Sequence, residues 1–378
     1  DELMQVDPKD GTAVRKIAAP YKATAGLAFG DGYLWVTDRK RDRLYMVQPK
    51  SGWVLNSLRV KKPYPSGAAF GDGAIWITDY EPDTITEVRL EELTPMRVLK
   101  TREQKVVFTH RVSNGGPSEV TDLSIWLAEP ESRPGQKVVS AEVAAPDGKL
   151  SSAKDRFGQA FRLARFDSLS PGRSAEVTLT ARVDVQAVSW FVDPAKVKPL
   201  AKIPEEVRRL YLVDEEKYLI NDPLVKKTAK EIVGREANAF FILQRVFDYV
   251  TENMSYKLSG GWNAAPFLLK RKTGSCSEYT ILTIALLRAA GVPARYVGSY
   301  VIRGEDASVD YVFHRWVEAY IPGIGWIPVD PNKGDADYPA DRARGIGSLD
   351  ARFLVTTVSG GDSDVLAWQY NSQAKWSH

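Results

Sequence analysis

The sequence predicts a multidomain, mostly β chain: two β-propeller-blade-like repeats, an antiparallel β-sandwich, and a C-terminal domain that mixes helices and strands. Three observations predict it. A block near the N-terminus recurs 41 residues later (Gly26 to Gly67), the next stretch alternates apolar and polar side chains without a repeat, and beyond Pro204 the apolar period lengthens to that of helices. At roughly 100–200 residues per domain, 378 residues make about two to four domains. A composition that is 44% hydrophobic and 26% charged excludes a disordered chain. Lys+Arg number 51 against 48 Asp+Glu, and a net charge of +3 gives no reason to expect a nucleic-acid partner. No apolar run approaches the ~18–20 residues that cross a bilayer, so no membrane span is expected.

Residues 1–94 carry the repeat. Gly26-Leu27-Ala28-Phe29-Gly30-Asp31-Gly32 returns as Gly67-Ala68-Ala69-Phe70-Gly71-Asp72-Gly73, and Leu34-Trp35-Val36-Thr37-Asp38 as Ile75-Trp76-Ile77-Thr78-Asp79. Each copy reads as four short runs with Gly-Asp-Gly as a hairpin turn. The stretch resembles the repeat units of bacterial β-propellers. Closed propellers need about four to eight blades, so two leave open edges. Upstream blades, the rest of the chain, or self-association through the open blade edges would cover them.

Residues 95–190 form the expected β-sandwich, of the Ig-like kind. Val177, Leu179, Ala181, Val183 and Val185 alternate with polar residues, as do Leu123, Ile125 and Leu127. His110 falls in one such strand, where a structural hydrogen bond is the expected role. Pro194 and Pro199 mark a linker over 191–203, and the C-terminal domain takes 204–378. Asn221-Asp222-Pro223 starts a helix that Gly234 stops. Ala239, Leu243, Val246, Phe247 and Val250 share the face of the next.

The chemistry lies between Lys272 and Asp337. One cysteine, Cys276, rules out an intrachain disulfide and a Cys-based zinc site, and there are only three histidines, His110, His314 and His378. Gly291 and Pro293 end a helix that starts near Ser275, which puts Cys276 in its first turn. There the unpaired N–H groups and the positive dipole end favour thiolate. The preceding Lys270-Arg271-Lys272 run adds positive charge. Phe313–Ile321 and Gly325–Asp330 read as a hairpin. If His314 pairs with Asp330, opposed numbers sum to 644 and imidazole and carboxylate share a face; a four-residue loop gives 647 and separates them. An even sum or a bulge is therefore required for Asp330 to orient His314. In that arrangement His314 deprotonates Cys276, whose thiolate attacks an amide or ester carbonyl. The Cys276 N–H and the indole N–H of Trp262 are candidate oxyanion donors, and Trp316 and Trp326 are expected to wall the cleft as substrate-binding residues.

These residues also carry a resemblance. Gly274-Ser275-Cys276-Ser277-Glu278-Tyr279, Leu286 to Tyr296, His314-Arg315-Trp316-Val317-Glu318 and Gly325-Trp326-Ile327-Pro328-Val329-Asp330-Pro331 resemble the transglutaminase-like superfamily core, over roughly Pro204 to Tyr338. The resemblance implies a papain-like α+β fold with Cys276 as nucleophile, His314 as base and Asp330 as orienter. The preceding sandwich, with Asp155-Arg156-Phe157-Gly158, resembles the β-domain found before this core in bacterial members. The superfamily includes cross-linking acyltransferases, peptidases, amidases and inactive members.

The expected activity is a cysteine hydrolase or acyltransferase working on peptide or side-chain amides of a peptide or protein substrate, with hydrolysis ranked above cross-linking. The alternative is a protein- or glycan-binding module whose transglutaminase-like domain is inactive; an assembly protein with paired blades is a third. Asp330, Asp335, Asp337 and Asp341 form an acidic loop whose spacing misses the EF-hand pattern, so no metal is expected, and no cofactor motif appears. A start at Asp1 rather than Met would follow from removal of a secretion signal, so an extracytoplasmic location is expected, with the cytoplasm as the alternative.

Overall fold

Each copy of the repeat folds as its own antiparallel meander. In the computed structural model, which describes residues 1–80, 83–258, 261–303 and 307–377, the first copy forms four strands in sequence order: Thr24–Gly30, Tyr33–Asp38, Arg43–Val47 and Val54–Arg59. The second forms three: Pro65–Gly71, Ala74–Asp79 and Ile85–Arg89. The repeated turns account for both hairpins. Asp31 and Gly32 take φ 52° and 83°, Asp72 and Gly73 take 50° and 71°, the left-handed pair that a two-residue hairpin loop requires. The repeat extends to hydrogen bonds, since the indoles of Trp35 and Trp76 donate to the carbonyls of Gly30 and Gly71 at 3.2 and 3.3 Å. Gly26 is needed where the two meanders touch: a Cβ there would lie 2.6 Å from the backbone nitrogen of Ala68. Among the described residues no strand pairing joins the two sheets into a closed ring.

The meanders belong to a compact unit of Asp1–Arg97, Trp190–Lys196 and Asp330–Gly347. The last segment sits, by sequence, inside the C-terminal domain, yet it folds with the repeats. Its Tyr338 ring lies 4.2 Å from that of Tyr21, Asp341 pairs with Arg41 at 2.8 Å, and Ala340 joins a core of Val36, Tyr45, Val47 and Val54. Asp341 of the acidic loop is thereby committed to an arginine, and no metal-binding group of three His, Cys, Asp or Glu forms among the described residues.

The second unit holds Val98–Ser189, Val197–Val329 and Ser348–His378, of which His378 lies outside the described residues. Its first half is two four-stranded antiparallel sheets. Leu123, Ile125 and Leu127 of one share a single apolar cluster with Val177, Leu179, Ala181 and Val183 of the other, as the alternation predicts. An element with no sequence signal completes one of them: Ser372–Ser377 returns from the chain end to pair with Val120–Ala128. His110 Nδ1 meets Ser372 Oγ at 2.6 Å, which gives that histidine its structural hydrogen bond.

The second half has the helices Pro223–Val233, Ala239–Asn253, Ala265–Arg271 and Cys276–Ala289. Asp222 caps the first, accepting from the Leu224 N–H at 2.8 Å, and Gly234 ends it with φ 59°. A four-stranded antiparallel sheet follows in the order Gly325–Val329, Phe313–Ile321, Ala294–Val301, Phe353–Ser359. The Cys276–Ala289 helix is buried from Ser277 to Arg288, which explains its apolar circumference. The hairpin register corrects both expected values. Val317 faces Val329 and Ile321 faces Gly325, a sum of 646. It is even, so the odd register that splits the faces is gone, and so is direct opposition of positions 314 and 330.

Candidate active site

The cysteine helix starts abruptly because three residues allow it. Gly274 passes so close over the first turn that a Cβ would meet Glu278 Cβ at 2.3 Å. Ser275 is the extended N-cap, and Glu278 closes a capping box by accepting from the Ser275 N–H at 2.8 Å and its hydroxyl at 2.6 Å. Cys276 is thus the first helical residue, with its sulfur at the positive end of the dipole.

The same Glu278 carboxylate also reaches outward. Its second oxygen accepts from the N–H groups of Gly261 and Trp262 at 2.8 and 2.9 Å. Trp262 adopts a left-handed φ of 53°, and its ring lies 4.1 Å from the Arg315 guanidinium and 6.0 Å from the Tyr370 ring. Burial raises the pKa of Glu278, but the Ser275 hydroxyl and the Gly261 and Ser275 N–H bonds outweigh it and keep the group below its ordinary range.

Cys276 is half-buried. Its thiol is hydrogen-bonded to the His314 side chain and to the backbone N–H of Arg315. Burial pushes the thiol up, yet the hydrogen bond and charge of His314, followed by the Arg315 N–H and guanidinium, bring it below its usual value. The strand carrying His314 is paired by its hairpin partner only at Val317–Ile321, so the sulfur meets the strand beyond the end of that pairing. The imidazole stacks on Phe353 at 5.4 Å and lies 5.9 Å from Trp316. Tyr256 and Tyr370 stand close enough to feel the sulfur. Burial first, then the charge of Cys276, raises Tyr256, and burial dominates in pushing Tyr370 up to about 12.

The structure therefore brings Cys276 and His314 together. Asp330 follows the hairpin and opens the turn Pro331–Lys333; its N–H donates to Gly345 at 2.7 Å and its carboxylate accepts from the Asn332 N–H at 3.2 Å. Trp316 is only 1% exposed, so it backs the imidazole and offers no surface to a substrate. Trp326 packs on the Arg295 guanidinium at 3.9 Å and on the rings of Tyr211 and Tyr320. Arg295 and Arg133 both pair with Glu318. Two residues of the site are absent from the sequence-based set. Glu278 had a signal, the Ser275-x-x-Glu278 spacing of a capping box; Arg315 had none beyond standing next to His314.

The thiol on a helix N-terminus and the imidazole on a following strand define a class. Residues 226–331 match the sequence profile of the transglutaminase-like superfamily, and the chain carries a transglutaminase-like domain. It is 33% identical over 104 residues to the uncharacterized protein YebA of Bacillus subtilis, covering 25% of this chain and 14% of that one. It is 31% identical over 137 residues to a protein-glutamine gamma-glutamyltransferase of Pseudomonas aeruginosa, covering 28% and 20%. The chain thus spans a small part of these relatives' length. A crystal structure of a proposed cysteine protease from Cytophaga hutchinsonii superposes with a TM-score of 0.51 at 17% identity, over 74% of this chain and 92% of that one, which shows a shared fold. Among the described residues no helix is long and apolar enough to cross a membrane.

Proposed function

We propose that this chain is a cysteine-dependent hydrolase or acyltransferase acting on peptide or side-chain amide bonds, with Cys276, His314 and Asp330 as its catalytic residues. One observation carries the reading: a part-exposed thiol at a helix N-terminus, hydrogen-bonded to an imidazole and held below its ordinary pKa. His314 takes the thiol proton, and the thiolate attacks the amide carbonyl carbon. The tetrahedral oxyanion is met by the Cys276 N–H, with the Trp262 indole as the proposed second donor. Collapse breaks the C–N bond as His314 returns the proton to the leaving amine. A water molecule, deprotonated by His314, then attacks the thioacyl carbon, releasing the acid and the thiol. Asp330 is assigned the other ring nitrogen, and the even hairpin register supports that assignment. Hydrolysis is ranked above transfer to an amine because nothing in the sequence suggests a dedicated amine-acceptor site and water is the default acceptor. We also propose that the N-terminal meanders are propeller-type blades and the paired sheets an Ig-like sandwich, and that the protein works outside the cytoplasm.

The test is incubation with a glutaminyl peptide, with and without a labelled primary amine, followed by mass spectrometry of the peptide. The expected product is the deamidated or cleaved peptide, absent with Cys276→Ala. Dominant amine incorporation would invert the ranking. A product unaffected by Cys276→Ala would refute the assignment of the nucleophile.

A further inference from the structure

Arg315 is a fully buried cation, 0% exposed, with little to neutralise it. Three aromatic faces cage its guanidinium: Trp262 at 4.1 Å, Tyr296 at 4.3 Å and Tyr370 at 4.3 Å. Nη2 donates to the Trp368 carbonyl at 2.8 Å, while Nε and Nη1 have no acceptor among the described residues. The buried Arg288 and the part-buried Arg133 and Arg295 of this unit are treated differently. Arg288 donates to the carbonyls of Ala294, Val213 and Gly360, and Arg133 and Arg295 share the carboxylate of Glu318. A buried charge without a partner is among the costliest features a fold can carry. Among the described residues, the groups whose charge bears most on Arg315 are Tyr296, Tyr370, Tyr218 and Cys276. Burial raises all three tyrosines, whereas the sulfur is held below its usual value, so of this set it is the group that ionises first as pH rises.

We propose that Arg315 is a positioning residue for the nucleophile, a fixed buried cation whose counter-ion is the Cys276 thiolate. The inference rests on Cys276 being the nucleophile. Its backbone already donates to the sulfur, so side chain and main chain of one residue act on the same atom. A guanidinium does not lose its proton. Its field on the sulfur therefore persists when His314 has given its proton away, which His314's own charge cannot do. In deacylation it favours departure of the sulfur as thiolate. The groups facing the sulfur are His314 and Arg315 on one strand, Tyr256, and Tyr370, with Glu278 two positions along the helix.

The experiment uses the full chain, whose single cysteine makes iodoacetamide alkylation a one-site readout. Arg315→Met and Arg315→Gln are expected to raise the midpoint of the alkylation pH profile by about 1 unit or more, slowing alkylation about tenfold below it. Arg315→Lys is expected to restore most of the shift. Circular dichroism checks folding. Folded neutral variants with an unchanged midpoint would overturn the proposal and leave the nucleophile assignment standing. A free-thiol midpoint in the unmodified sequence would instead undo that assignment. If neither neutral variant folds, Arg315→Lys decides: a retained midpoint supports the fixed charge, and a free-thiol midpoint refutes it.

Discussion

Replacing Glu278 by Gln removes one negative charge and turns one of two acceptor oxygens into a donor. The carboxylate serves four donors: on one oxygen the Ser275 N–H and hydroxyl, on the other the Gly261 and Trp262 N–H groups. The amide can keep only one pair. Ser275 is buried and Gly261 is exposed, so leaving the Ser275 pair unmet costs desolvation that the loop N–H groups avoid by turning to water. The variant should therefore keep its oxygen on the cap and release the loop. Two charge-assisted bonds become two water bonds, a loss of about 1–3 kcal/mol in unfolding free energy at neutral pH. Urea unfolding measures that loss, and hydrogen exchange at Gly261 and Trp262 shows where it falls. Unchanged stability with both amides still protected would refute the reasoning. Low pH should mimic the substitution. Because the folded pKa of Glu278 is depressed, its stabilisation is present above the unfolded value near ~4.3 and is lost as pH falls through the folded one.

Glu318→Ala removes a buried carboxylate and leaves the part-buried guanidinium groups of Arg133 and Arg295 without their shared anion, and urea unfolding is expected to show a loss of about 3–5 kcal/mol. Asp330→Asn can still accept from the Asn332 N–H, so it should preserve the turn and the melting temperature while lowering kcat/KM at least about 10-fold; unchanged kinetics would leave Asp330 a turn residue only. His110 is held below 6.5 by burial, so the unfolded chain binds its proton more readily. Its stabilisation is full above about pH 6.5 and declines as pH falls through the lowered folded value, and thermal melts of His110→Asn should show a flatter slope over that range.

The parts of the fold written in local pattern were readable in the sequence. Asp31-Gly32 and Asp72-Gly73 can only make one kind of tight turn, and Gly274 to Pro293 spells a helix from cap to stop. The hairpin register was not readable, because Pro322-Gly323-Ile324-Gly325 offers two glycines for positive φ and both take it, 89° and 105°. The choice between closing at Tyr320 and at Ile321 is made by packing. The partners of Asp330–Gly347 are hundreds of residues away in sequence, as Arg41 and Asp341 illustrate. Nothing in a window of 20 residues announces such a contact. At the site, Cys276 and His314 were legible through scarcity, since each type has few members. Arg315 was not, because its meaning comes from rings at 262, 296 and 370 that converge only in the folded chain.

The pH profile of Cys276 alkylation by iodoacetamide, recorded for the native chain and for His314→Ala, probes the cysteine–histidine partnership most directly. The native profile should rise with a midpoint below that of a free thiol, about 8.5, and His314→Ala should move the midpoint up and slow the reaction at neutral pH. A native midpoint at the free-thiol value, or a profile that His314→Ala leaves in place, would contradict an activated nucleophile at this helix terminus.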